Sequence, residues 1–214
     1  MSGTTGVPLL VKLPCPRGPS KIPPWMNIKV SKSLPAIGFV TALEDENHGY
    51  FGGYLVLSSL GRPLEFHCST PVQPNQAQRI LYGATLRDYV LADLIGQTLL
   101  AKSQLPVQAV LTDQREMLGL SLLCDETIAC VEPAGCNDAQ AEASSGPLLV
   151  LSDYQLVGTP SCVWQPEAFQ TLLLSLISHV DLMEPFERIR AAIREAQRIT
   201  DPAPDSQLGL ADAA

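Results

Sequence analysis

No run of about 18 uninterrupted apolar residues, the length a helix needs to cross a bilayer, occurs in this 214-residue chain. Even the most apolar stretch, Phe169 to Val180, is cut by Gln170, Thr171, Ser175, Ser178 and His179. The first residues lack a basic segment followed by an apolar core and a small-residue cleavage site, so no secretory leader is expected. Gly-x-Ser-x-Gly, Gly-x-x-x-x-Gly-Lys, His-Glu-x-x-His and Cys-x-x-Cys are all missing. Their absence removes the common signatures of hydrolases, nucleotide-phosphate loops, metalloproteases and paired-thiol zinc sites. Aromatic residues make up only 6% of the chain, which leaves little for stacking single-stranded bases. Without a leader, the six cysteines read as reduced thiols of a cytoplasmic protein rather than a disulfide framework.

What is present is apolar material enough for one core, at 46% hydrophobic and 17% charged residues. The net charge of −8 hides an asymmetry, because residues 1–43 carry Lys12, Arg17, Lys21, Lys29 and Lys32 and no acid. Residues 1–35 also hold seven prolines, which block helices and central strands alike. They read as a proline-rich basic arm, largely disordered. Residues 201–214 read as a disordered acidic tail, and residues 36–200 as a single mixed α/β domain.

The domain opens with three β-rich runs joined by short polar turns, Ile37–Leu43, Tyr50–Leu57 and Leu64–Cys68, which predict an antiparallel meander. Gly52 and Gly53 mark a bulge or a close backbone approach, since no helix follows to make a phosphate loop. From Asn75 the period becomes 3.6, predicting a short helix, a break at Gly83, and a longer helix with Leu94 and Leu99 on its buried stripe. Val107–Asp113, Thr127–Glu132 and Pro147–Ser152 read as strands, with a helical segment over Gln114–Leu123 between the first two. A long C-terminal helical region, Pro166 to about Ile199, is broken or kinked at Pro185. Alternating helices and strands after a meander fit a ribonuclease-H-like layout, and equally a profilin-like or PAS-like one with an antiparallel sheet and helices on one face.

Carboxylates are the first candidates for chemistry, because a ribonuclease-H-like nuclease gathers three or four of them around two divalent ions. The first would sit mid-strand in the first strand, but Ile37–Leu43 contains no acid and Glu44 comes only where that strand ends. Asp113, at the end of the apolar strand Val107–Thr112, is the best placed, with Asp88 and Asp93 on the long helix and Glu184 or Glu187 on the last one. Asp113 nonetheless reads first as the cap of a helix starting at Gln114 or Arg115. His67 and Cys68 are neighbours on a strand and point to opposite faces, so a shared metal or a His67-activated thiol is not expected.

The last helix carries Arg190, Arg194 and Arg198 at i, i+4 and i+8, opposite the apolar Phe186, Ile189, Ile193 and Ala196. Glu184 with Arg188 and Glu187 with Arg190 are spaced to pair on the helix surface. Gln207-Leu208-Gly209-Leu210 resembles the start of the bacterial sliding-clamp-binding peptide, with Ala211 where that peptide has phenylalanine. The resemblance implies an interaction motif at Gln207, Leu208 and Leu210.

Because no single motif gathers the polar residues, the sequence reads first as a non-enzymatic cytoplasmic interaction or scaffold protein. Its expected association is with a protein partner or a second copy, with no cofactor, no membrane and no specific nucleic acid. The alternative is a divergent Mg²⁺- or Mn²⁺-dependent nuclease or phosphodiesterase of ribonuclease-H-like fold. A third reading is a small-molecule sensor with a pocket between sheet and helix.

Overall fold

A computed structural model of the chain describes residues 35–134, 146–160 and 166–200, the side chains of 166, 168 and 198–200 excepted. The proline-rich arm, the acidic tail with its clamp-like peptide, and Cys136 lie outside the described residues.

β1 (Ala36–Asp45), β2 (Gly49–Ser58) and β3 (Pro63–Cys68) form the expected antiparallel meander. β1 also runs parallel to β4 (Ala109–Thr112), and β4 runs parallel to β5 (Ile128–Pro133). β7 (Tyr154–Val157) returns antiparallel on β5, and β6 (Leu148–Leu151) forms the edge. The order is thus β3-β2-β1-β4-β5-β7-β6 in a seven-stranded mixed sheet. Parallel neighbours need crossover connections; the helices of both crossovers pack on one face of the sheet, and the C-terminal helices cover the other. That is the ribonuclease-H-like layout, and it removes the antiparallel, one-faced alternative on which the sensor reading rested.

α1 (Gln76–Tyr82) begins at Asn75, whose side chain accepts from the Gln78 N–H while Gln78 reaches back to the Asn75 N–H. A 3₁₀ turn (Gly83–Thr85) and α2 (Leu86–Asp88) lead into a π-helical stretch, Tyr89–Gly96, and then α3 (Gln97–Lys102). The wider π turn rotates the apolar stripe. Leu99 is buried as expected, but Leu91 and Ile95 share its place and Leu94 lies half-buried on the flank. Gln114–Leu123 is a 3₁₀ helix over Arg115–Leu122 rather than an α-helix.

α4 (Pro166–Ile177) and α5 (Glu184–Thr200) are separate helices. Pro185 therefore falls in the first turn of α5, where its missing N–H forfeits no helical bond.

Strand alternation sorts the core into two halves. Ile37 and Phe39 of β1, with Leu111 of β4, meet Leu173, Phe186, Ile189 and Ile193 of α4 and α5. Val40 and Ala42, with Val110, meet Leu91, Ile95, Leu99 and the 3₁₀ helix residues Met117 and Leu120.

Gly52 and Gly53 mark close approaches on opposite faces. A Cβ on Gly52 would lie 2.0 Å from Ile95 Cγ2, and one on Gly53 would lie 2.3 Å from Ile189 Cγ2. Gly52→Ala and Gly53→Ala are each expected to lower unfolding free energy by about 1–3 kcal/mol through overpacking, measured by urea denaturation. A loss below about 0.5 kcal/mol would show that the helices can back away from the sheet.

Candidate active site

The register of β1 on β4 builds the centre of the site. Val40 pairs with Thr112, so the next residues along the two parallel strands, Thr41 and Asp113, sit side by side at the carboxyl end of β4. Both belong to the sheet face covered by α5, and Thr41 is fully buried. Thr41 occupies the mid-strand position where a ribonuclease-H-like nuclease would carry its first acid. Its Oγ1 donates to Asp113 Oδ1 at 2.7 Å. Arg190 of α5 reaches down from above, its Nη2 donating to Asp113 Oδ2 and, at 3.2 Å, to Thr41 Oγ1. Its Nη1 donates to Glu187 Oε1 at 2.8 Å.

Asp113 is therefore not a helix cap. The residue preceding the 3₁₀ helix is Gln114, and its side chain makes no capping bond. It turns instead to the backbone of β1, accepting from the Ala42 N–H at 2.9 Å and donating to the Ala42 carbonyl at 3.3 Å.

The opposite sheet face holds a second group of acids. Arg87 donates to Glu116 at 2.6 Å and to Glu44 at 2.7 Å. Beside them Arg115 forks onto Glu132, whose carboxyl is held below the usual carboxylate range chiefly by that guanidinium. Asp88, Asp113, Gln114, Arg115, Glu116 and Gly119 line an open cleft of about 750 Å³ at the end of β4. The Asp88 carboxyl is pushed above its ordinary value, first by burial and then by the nearby charge of Glu116.

Of the acids expected from sequence, Asp113 and Asp88 share the cleft, and Glu44 joins through Arg87. Asp93 is not among the cleft's lining residues, its charge lying near the Tyr82 hydroxyl instead. Glu116 was missed, because the 3₁₀ helix that aims it has no sequence period of its own. The basic stripe on α5 is also corrected. Arg190 is turned into the protein, Arg194 is exposed, and the Arg198 side chain lies outside the described residues. The helix pairs Glu184–Arg188 and Glu187–Arg190 form as expected.

Zinc and thiol chemistry find no support among the described residues. His67 bonds Glu65 at 2.6 Å, and His179 bonds Ser178 and the Ser175 carbonyl. Burial pushes the Cys124 and Cys130 thiols up to about 12.

No family model matches the chain. No curated protein is similar to it in sequence. Among solved structures it is similar to endonuclease V of Ciona intestinalis in complex with a 24mer DNA containing an inosine followed by a ribo-adenosine. That match has 12% identity and a TM-score of 0.48, and covers 80% of this chain and 89% of the other. Human endonuclease V matches at 17% identity and a TM-score of 0.46, over 78% of this chain and 86% of that one. With nucleases as its neighbours, one of them bound to DNA, the expectation of a non-enzymatic interaction protein is withdrawn. The expectation that specific nucleic acid is no partner is withdrawn with it. No helix among the described residues is long and apolar enough to cross a membrane.

The acids present do not fit a pair of divalent ions as they stand. A hard cation needs several converging oxygens, and among the described residues no three of His, Cys, Asp or Glu converge that way. Asp113 has both oxygens engaged by Thr41 and Arg190, while Glu44 and Glu116 are bound by Arg87.

The raised Asp88 carboxyl has a measurable consequence. A carboxylate whose folded pKa lies above its unfolded one destabilises the fold once ionised, and the effect disappears as pH falls through the unfolded value. Asp88→Asn is therefore expected to raise the thermal midpoint at pH 7, by less than about 1 kcal/mol equivalent because the group is largely exposed. The gain should vanish below the carboxylate range, and a gain that persisted there would mean that charge is not its origin.

Proposed function

We propose that this chain is a divergent phosphodiester-directed enzyme of ribonuclease-H-like fold, acting on nucleic acid in the cleft at the carboxyl end of β4. One observation carries the reading: Asp88, Asp113 and Glu116 line one open cleft at the edge where parallel strands of such a sheet end. Ligands of open α/β sheets collect at that edge. Arg115 lines the same cleft, and Arg190 and Arg87 bind its acids. Forked guanidinium donors match phosphate oxygens in geometry and charge. Asp88, which lines the cleft with its carboxyl raised above its ordinary value by burial and by Glu116, is the group suited to accept a proton from an attacking water. A single-domain, cytoplasmic protein with reduced thiols accords with this role.

The test uses the full chain and end-labelled single- and double-stranded DNA and RNA, assayed for cleavage and by fluorescence anisotropy. The wild type is expected to cleave at least one of them, and Asp88→Asn to lose cleavage while retaining binding. Neither binding nor cleavage by a folded wild type, or cleavage untouched by Asp88→Asn and Asp113→Asn together, would overturn the assignment.

A further inference from the structure

We infer that Arg190 stands in the place of a divalent cation at this site, its guanidinium, instead of Mg²⁺ or Mn²⁺, holding the cleft-lining Asp113. What the cleft takes rests on the phosphodiester reading, whereas the exclusion of the metal rests on geometry alone.

The geometry begins with how α5 is fixed. Phe186, Ile189 and Ile193 are buried under the sheet face of β1 and β4, and Phe186 packs edge-on against Phe39 with ring centroids 5.4 Å apart. One turn after Phe186, Arg190 is aimed at the gap between the two strands. There it binds Asp113 and Thr41 through a single nitrogen. Its side chain is 18% exposed and that of Asp113 only 6%, so the charge is held inside the protein with a limited opening to solvent.

The chemistry of Thr41 and Asp113 then decides between ion and guanidinium. A pair of divalent ions would need several converging carboxylates, but β1 contributes a neutral hydroxyl beside Asp113. That hydroxyl donates its proton to Asp113, which leaves the carboxylate to accept from it and from Arg190. The other acids near the cleft repeat the arrangement, with Arg87 between Glu44 and Glu116 and Arg115 on Glu132. Arginine stays protonated at any working pH, so the positive charge at this site cannot be removed by chelation.

The experiment needs only the full chain, MnCl₂, MgCl₂ and EDTA. The unfolding midpoint of the wild type is expected to stay within about 1 °C in millimolar Mn²⁺, Mg²⁺ or EDTA, because nothing binds the native state preferentially. Arg190→Gln frees Asp113 and should acquire a Mn²⁺-dependent rise of about 2–4 °C, while Arg190→Lys, which keeps the charge, should not respond. A wild-type response to Mn²⁺ that disappears in Asp113→Asn would overturn the inference. So would a folded Arg190→Gln that answers Mn²⁺ no differently from wild type. If Arg190→Gln does not fold, water-proton relaxation of Mn²⁺ with the wild type decides. A saturable site lost in Asp113→Asn overturns the inference, and its absence at millimolar Mn²⁺ supports it.

Repeating the nucleic-acid assays in EDTA separates this inference from the reading beneath it. Cleavage that requires added Mn²⁺ refutes the guanidinium's role and leaves the phosphodiester reading standing. No binding or cleavage under any condition refutes the phosphodiester reading and leaves the metal result intact.

Discussion

Truncating Phe186 to alanine is expected to lower unfolding free energy by about 3–5 kcal/mol, the range for deleting a buried aromatic ring. Phe186 is fully buried and touches Phe39 at the centre of the sheet, where close packing leaves neighbours little freedom to fill the void. Equilibrium urea unfolding followed by far-ultraviolet circular dichroism measures the loss. Leu174, on α4 but half exposed, supplies the contrast, since Leu174→Ala should change stability by less than about 0.5 kcal/mol. The larger effect has a functional side. α5 carries Arg190, and loosening its anchor is expected to weaken nucleic-acid binding even where the variant remains folded. Full binding by a folded Phe186→Ala would show that Arg190 does not need α5 held in place.

The fold was legible wherever hydrophobic period and turn chemistry spoke together. The meander over β1 to β3 follows from apolar runs parted by Glu44–Gly49 and Ser58–Pro63. The break between α4 and α5 follows from Pro185. Strand order was not legible, because β1 and β4 are joined by about sixty intervening residues and no local pattern says which strand β4 will choose. The β6–β7 hairpin was half missed for a local reason. Tyr154-Gln-Leu-Val is only four residues long, and the turn before it places Ser152, not a glycine, at positive φ. The 3₁₀ and π stretches were invisible for the same kind of reason, since both depart from the 3.6-residue period that the sequence was read against.

The site divides along the same line. Asp113 stood out because it follows an apolar strand, whereas the sheet face taken by Glu44 emerged only from the structure. Arg190 was recognised as part of a basic stripe, but its turn inward depends on α5 crossing the ends of β1 and β4. Such a long-range contact leaves no trace in helical spacing. Thr41 read as an ordinary strand residue until the register placed it beside Asp113.

Arg190→Ala is expected to cost more than Asp113→Ala, and the two together less than their sum. Removing one partner of a buried ion pair strands the other and costs about 3–5 kcal/mol when burial is complete. Arg190→Ala approaches that range. It leaves Asp113, with its side chain 6% exposed, supported among the described residues only by the Thr41 hydroxyl. Asp113→Ala leaves Arg190 with a second acid, Glu187, whose side chain is 68% exposed, and with some access to water, so about 1–3 kcal/mol is expected, the range for a polar group left unsatisfied. The double variant strands neither charge, giving a coupling energy between about 0.5 and 3 kcal/mol. Urea denaturation of the four proteins at pH 7 provides every quantity. Equal single penalties with no coupling would mean that Arg190 and Asp113 act independently, and the guanidinium would then have no claim to a cation's place.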